Sequence, residues 1–288
     1  MFEGVYYLLD ANCSHLCEGC FLESQRVYNP RDFETSINDI TKLQTNGFKV
    51  KVTASNIVRY PNIEKILSLC EQNYVLADIF TVQQDIDILE RLHDSGVEIA
   101  FITSSHSSNI KDRFSIEHAS EAIKKAGLEL AISYILSPQN KNEIHNMIAE
   151  AISVDADSIR FMRYLPTNLN QNDLNLSRQE ERIIIKEIYN AQEGVPKEQL
   201  RIYIHGHFGT KFRPSKGPVC FAGEKIFFIG LDNIVYPCEF LSSPEFAIGT
   251  FQNGHIKLEK KLCGYENDEC KLLQMYHNKK YIGRFIKN

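Results

Sequence analysis

Cys13, Cys17 and Cys20 stand in the run Asn12-Cys-Ser-His-Leu-Cys-Glu-Gly-Cys-Phe21, with three and then two residues between them, directly after the apolar segment Val5-Leu9. Three thiolates on one short loop can hold three irons of a 4Fe-4S cluster and leave the fourth open to a ligand that is not protein. An open iron is a place for chemistry. The competing readings are a zinc knuckle and a disulfide pair. A structural zinc site wants four ligands, commonly two CxxC pairs or a CxxC with spaced histidines. His15 is the nearby extra donor and lies inside the loop, so zinc fits poorly.

A second cysteine set follows about 200 residues later: Cys220, Cys238, Cys263 and Cys270. Cys220 and Cys238 bracket a β-hairpin expected from Lys225-Ile229 and Ile234-Tyr236, with Asn233 suited to a left-handed turn position. Cysteines on either side of a hairpin can face one side, where Cys263 and Cys270 complete four ligands. Four cysteines suit a fully ligated 4Fe-4S cluster or zinc, and the spacing does not separate the two. Cys70 stands apart, on a helical stripe with Ile63, Ile66 and Leu67, and reads as a packed core thiol. His205 and His207 share one strand face without an evident third ligand, so a polar edge or substrate-facing pair is the plainer reading.

Eight cysteines in a chain without an export signal read better as metal ligands than as disulfides. The amino terminus has no basic stretch followed by an apolar core, and no run approaches the roughly 20 apolar residues of a membrane span. The expected location is the cytoplasm. A net charge of -5 without a long basic run points away from nucleic acid and from anionic membranes.

The elements that must carry these cysteines are legible in the hydrophobic pattern. Strands are expected over Val5-Leu9, Lys49-Val52, Val75-Phe80, Glu98-Thr103, Glu129-Ile135 and Ser158-Met162. Helices are expected over Ser36-Thr45, Gln84-Ser95, Ile116-Ala126 and Glu143-Ser153, the first three stopped by Gly47, Gly96 and Gly127. A further crossover helix, Leu176-Ala191, opens on a capping box from Ser177 to Glu180. Alternating strand and helix specify an α/β fold with a parallel sheet, and six units suit an open, partial barrel. Such a barrel places ligands at the carboxyl ends of its strands, which is where the first strand enters the cysteine loop. The texture changes after about residue 195, so two units are expected, 1–195 and 196–288, with Arg201-His205 in the second.

The CxxxCxxC run resembles the signature of the radical S-adenosylmethionine (radical SAM) superfamily. That resemblance covers roughly residues 1–195 and implies a partial (β/α)6 TIM-like barrel whose open iron chelates AdoMet. Reduction of such a cluster cleaves AdoMet to methionine and a 5'-deoxyadenosyl radical, the cofactors carrying the hard chemistry and the protein orienting it. The run Cys220-Phe-Ala-Gly223, hairpin, Val235-Tyr-Pro-Cys238 and then Ala247-Ile-Gly249 is similar to the Twitch and SPASM extensions of that superfamily. A full SPASM domain carries seven cysteines, so four imply the shorter Twitch-like form, a small iron-sulfur domain with one auxiliary 4Fe-4S cluster.

The resemblance also implies contacts to AdoMet. Phe21 is expected to stack on adenine, since Gly19 occupies the usual aromatic position. The stretch Val52-Thr-Ala-Ser-Asn56 stands where the superfamily has a Gly-Gly-Glu-like segment, which leaves Ser55 and backbone carbonyls for the amino group. Ser104, Ser133, Arg163 and Leu165 come from the ends of the fourth to sixth strands, Arg163 as a cation in need of an anionic partner. Ser137 reads more plainly as a loop residue. No catalytic acid or base stands out.

Three functions are compatible with these residues. The leading expectation is a radical SAM enzyme that modifies a ribosomally made peptide, supplied with electrons by flavodoxin or ferredoxin. A compact small-molecule dehydrogenase acting on an aminocyclitol or sugar is the near alternative, favoured by a chain that starts directly at the first strand without a leader-binding module. A non-catalytic iron-sulfur or zinc protein is the alternative of another class.

Overall fold

The computed structural model describes residues 4–12, 20–77, 86–104, 110–165, 174–205, 208 and 221–259. Strands and helices alternate from β1 (Gly4–Asp10) through α1 (Phe33–Thr45), β2 (Lys49–Ala54), α2 (Ile63–Leu69), β3 (Tyr74–Ala77) and α3 (Ile86–Asp94). The alternation continues with β4 (Ile99–Ser104), α4 (Ile110–Lys125), β5 (Glu129–Leu136), α5 (Ile144–Ser153), β6 (Ser158–Arg163), α6 (Arg178–Gly194) and β7 (Arg201–Ile204). Four short strands follow: β8 (Ile226–Ile229), β9 (Ile234–Tyr236), β10 (Gly249–Gln252) and β11 (His255–Leu258). Each expected strand and helix of the first half is present among the described residues; Asp78-Phe80 and Gln84-Asp85 lie outside them.

Local chemistry sets the boundaries. Asp32 caps α1 by accepting from the Thr35 amide at 2.9 Å. Ser177 and Glu180 form the expected capping box on α6. Gly47, Gly96 and Gly127 all take left-handed backbone angles where the preceding helices stop, and Asn233 does the same at φ 61° in the β8–β9 turn.

The strands fall into two ladders. The order β3-β4-β5-β6-β7 is parallel throughout, and β11-β10-β9-β8-β1-β2 is parallel only where β1 meets β2 and β8. Parallel neighbours need long crossovers, which α1 to α6 supply. Two results differ from the sequence pattern. Arg201–Ile204, expected to open the second unit, is hydrogen-bonded in parallel to β6 and completes its ladder. The hairpin bracketed by Cys220 and Cys238 is joined to the first strand, Tyr6 pairing with Phe228. Strands far apart in sequence pair without any local signal.

Between β2 and β3 the ladder is replaced by one side chain. Gln72 accepts from the Val52 amide at 2.9 Å and donates to the carbonyls of Val52 at 3.2 Å and Tyr74 at 3.0 Å. Its primary amide mimics a strand neighbour and leaves neither Val52 group orphaned.

Alternation separates the two faces of the sheet. Val5, Tyr7 and Leu9 of β1, Val50 and Val52 of β2, and Ile159 and Phe161 of β6 share one core with Ile40 and Leu43 of α1 and Ile184 and Ile188 of α6. Cys70 belongs to that core, and burial pushes its thiol up to about 12. It is a packing residue. The opposite face, free of α-helices among the described residues, carries Tyr6, Tyr74, Phe101 and Arg160, all half-buried. Among the described residues no helix is long and apolar enough to cross a membrane.

Candidate functional site

The root of the first cysteine loop is fixed by β1 and β2 together. The Asp10 side chain accepts from the Asn12 amide at 2.8 Å, and the Asp10 carbonyl accepts from the Ser55 amide at 3.0 Å. The Ser55 hydroxyl donates to the Asn12 carbonyl at 2.5 Å, one residue before Cys13. Ser55 therefore anchors the start of the loop with its side chain. Burial raises the Asp10 carboxyl above its ordinary range, its bonds to the Asn12 and Ala11 amides working against that rise.

Cys13, Cys17, Cys220, Cys263 and Cys270 lie outside the described residues. Cys20 is half-buried and outside any disulfide, and Cys238 is half-buried. Among the described residues no group of three or more His, Cys, Asp or Glu side chains is poised around a metal position. Cys20 and Cys238 nonetheless share a neighbourhood. The ring of Phe21, next to Cys20, meets the ring of Phe240, two residues after Cys238, with centroids 5.1 Å apart.

Hydrogen bonds fasten the same two segments. The Ser242 hydroxyl donates to the Phe21 carbonyl at 2.9 Å, and the Ser24 hydroxyl donates to the Ser242 carbonyl at 2.7 Å. Gln25 accepts from the Leu231 amide at 2.8 Å and donates to the Ser242 carbonyl at 3.2 Å. That approach requires Gly230: a Cβ there would lie 2.6 Å from the Gln25 side-chain oxygen. Arg31 closes the seam, donating to Asn233 Oδ1 at 2.8 Å and to the Leu8 carbonyl at 3.0 Å while its guanidinium lies 4.4 Å from the Tyr7 ring centre. Phe21, expected to stack on adenine, packs its ring on Phe240.

The strand-end residues divide by parity. Arg163 lies on the same face of β6 as Ile159 and Phe161, against the helices, where it forms a buried ion pair with Glu181 of α6 and donates to the Leu176 carbonyl at 2.9 Å. The anionic partner expected of Arg163 is thus Glu181, within the fold. Leu165 is buried beyond the end of β6, where the neighbouring Tyr164 amide is tied to the Leu136 carbonyl at 2.9 Å. Ser104 ends β4 opposite Tyr134 of β5. Ser137 is buried in a turn, its amide donating to Asn140 Oδ1 at 2.9 Å and its hydroxyl accepting from the Gln139 amide at 3.3 Å.

Ser133 faces away from the helices and leads to a polar group absent from the sequence reading. Its hydroxyl accepts from Arg160 Nη2 at 3.0 Å and Nε at 3.3 Å, and the guanidinium lies 4.5 Å from the Phe101 ring centre. Tyr6 and Tyr74 act on each other's hydroxyls beside it, and Lys51 approaches the Tyr74 ring at 5.5 Å. The charge of Glu239, the residue after Cys238, acts on Arg160, Tyr6 and Tyr74. Burial lifts its carboxyl to about 7 against the opposing pull of Arg160. The signal was in the sequence: counting by twos from Phe161 puts Arg160 on the helix-free face and Arg163 behind it.

With this geometry in place, the comparisons with solved structures are informative. The Streptococcus suis SuiB structure bound to precursor peptide SuiA superposes with a TM-score of 0.64 at 15% identity, covering 98% of this chain and 66% of SuiB. Native anSMEcpe with bound AdoMet and Kp18Cys peptide gives a TM-score of 0.66 at 12% identity over 97% of this chain and 96% of anSMEcpe. The chain has the fold of SuiB and anSMEcpe. SuiB is also known bound to S-adenosylmethionine, matched here at a TM-score of 0.61 and 14% identity over 85% of this chain and 63% of SuiB. The chain thus spans just under two thirds of SuiB in these two forms. No protein-family model and no curated protein matches the sequence.

Proposed function

We propose that the chain is a radical SAM enzyme that modifies a ribosomally made peptide. One observation carries the reading: the CxxxCxxC loop springs from the carboxyl end of β1, pinned there by Ser55, in a fold shared with AdoMet-bound SuiB and anSMEcpe. Cys13, Cys17 and Cys20 are the ligands of a 4Fe-4S cluster. Cys20, the described member of the three, is a half-buried thiol suited to that role, while Cys70 is withdrawn into the core. When bound, the reduced cluster and AdoMet supply the 5'-deoxyadenosyl radical that takes a hydrogen from the substrate.

The protein's own contribution is placement. Asp10, Asn12 and Ser55 hold the loop at the strand ends, and backbone groups near Ser55, Ser104 and Leu165 are positioned to hold AdoMet. A partial (β/α)6 barrel, with the helix-free face as its interior, is supported by Gln72, whose amide links β2 to β3 and so joins the two ladders. Residues 1–195 form the barrel in this reading, with β7 extending its ladder from the next segment, and the remainder of 196–288 is a Twitch-like extension that shares a sheet with β1.

Cys220, Cys238, Cys263 and Cys270 hold an auxiliary 4Fe-4S cluster that assists oxidation of the product or its positioning. A peptide substrate is supported by SuiB and anSMEcpe, whose structures contain peptides. Flavodoxin or ferredoxin is the fitting reductant, in the reducing cytoplasm. Anaerobic reconstitution tests the two-site scheme: wild type should bind about eight irons per chain and a Cys13/Cys17/Cys20 triple alanine variant about four. Loss of all iron from the variant contradicts it, and zinc in place of the remaining iron contradicts the auxiliary cluster.

A further inference from the structure

Arg160 takes no part in holding either cluster or AdoMet, and its guanidinium is engaged on one side. The Ser133 hydroxyl accepts from Nη2 at 3.0 Å and from Nε at 3.3 Å, and the guanidinium carbon lies 4.5 Å from the Phe101 ring centre. Nη1 has no hydrogen-bond partner among the described residues and is not sealed from solvent. No carboxylate among them, that of Glu239 included, lies within ion-pair distance of Arg160.

The flanks of this guanidinium are open as well. Register sets Thr103, Ser133, Arg160 and Tyr203 side by side on β4, β5, β6 and β7. Thr103 is exposed and Tyr203 is 50% exposed, one at each end of that row. Three strand spacings make the row about 14 Å long, the reach of about four extended residues. Lys51, beside Tyr6 on the same face, is a second cation without a carboxylate at ion-pair distance among the described residues.

A guanidinium offers donors only, so its free edge calls for an acceptor. Held by a ring and a hydroxyl, its planar fork is preorganised for a carboxylate. A substrate supplies there the anion that the strands of this face do not.

We propose that Arg160 is a specificity-determining residue, binding a carboxylate of a peptide laid across the row from Thr103 to Tyr203. The proposal rests on the radical SAM reading for the substrate's being a peptide and for the chemistry done on it. An Asp or Glu side chain and a chain terminus offer the same group, and separate probes distinguish them.

Ligand-observed NMR on the reconstituted enzyme, saturated with AdoMet and without reductant, compares N-acetylglutamate N-methylamide, N-acetylglycine and the neutral N-acetylglutamine N-methylamide. At least one carboxylate probe should bind about tenfold or more tightly than the glutamine probe, the scale of a hydrogen bond to a charged group. The glutamate probe leads if the group is a side chain, and N-acetylglycine leads if it is a terminus. Arg160→Gln should bring the favoured probe down to the affinity of the glutamine probe. A glutamine probe bound as tightly as both carboxylates overturns the proposal, as does a preference that survives Arg160→Gln. Wild type decides alone if the variant does not fold: phenylglyoxal should modify Arg160, mapped by peptide mass spectrometry, and the favoured carboxylate should protect it where the glutamine probe does not. An Arg160 that is unreactive, or reactive and unprotected, overturns the proposal. 5'-Deoxyadenosine formation by the same preparation once dithionite is added keeps the two readings apart: its presence without carboxylate preference overturns the carboxylate site only, and preference without it overturns only the enzyme reading.

Discussion

Phe21 and Phe240 pack ring against ring at 5.1 Å with 49° between their planes, joining the residue after Cys20 to the segment that follows Cys238. The segments of Cys20 and Cys238, 218 positions apart in sequence, are thereby held by one contact and the Ser242 bonds around it.

That contact should be energetic as well as geometric. In a double-mutant cycle, Phe21→Ala and Phe240→Ala should show a coupling of about 1 kcal/mol in urea unfolding, the scale of an aromatic pair beyond its buried area. A coupling near zero would mean that the rings are neighbours without consequence.

Arg163 and Glu181 form a buried pair between β6 and α6. Arg163→Met should cost about 3–5 kcal/mol, because it strands the Glu181 carboxylate, whereas Arg163→Met with Glu181→Leu should return to near wild-type stability. AdoMet affinity should be the same in the double variant as in wild type, measured by equilibrium dialysis. A loss of AdoMet binding would restore Arg163 to the cofactor site.

Glu180 links the α6 cap to Lys141, and that ion pair, with the Ser177 bonds, holds its carboxyl at about 2 against an ordinary 4.5. A depressed carboxyl stabilises the fold above its ordinary range and loses that contribution as pH falls toward the folded value. The difference in melting temperature between wild type and Glu180→Gln should be constant above about pH 5 and shrink between about pH 4.5 and 2. A difference that grows as pH falls would contradict the pairing.

Cys70 sits in the core with its thiol pushed up to about 12. It should resist iodoacetamide in the native apoprotein while Cys20 is labelled, since the thiolate is the reactive form. Cys70→Ala should leave the iron content of the reconstituted protein unchanged.

Much of this was legible in the sequence because its causes are local. Ser177 and Glu180, three residues apart, make a cap; Gly47, Gly96 and Gly127 stop helices by their own backbone freedom; alternating apolar residues mark the strands. What the pattern missed depends on distant partners. Nothing near Gln72 signals that its amide replaces a ladder, and Arg201–Ile204 reads the same whether it joins β6 or another sheet. The packing of Phe21 on Phe240, 219 positions along, has no local signal either. Arg163 was different: strand parity alone separates it from Arg160, and the attraction of a cation at a strand end hid that count.

The central claim is that the loop of Cys13, Cys17 and Cys20 performs reductive cleavage of AdoMet. The most direct measurement is 5'-deoxyadenosine produced by anaerobically reconstituted protein with AdoMet and dithionite. Wild type should form it, and the triple alanine variant should form none while keeping its second set of irons. Absence of 5'-deoxyadenosine from wild type, with iron in place, would contradict the account.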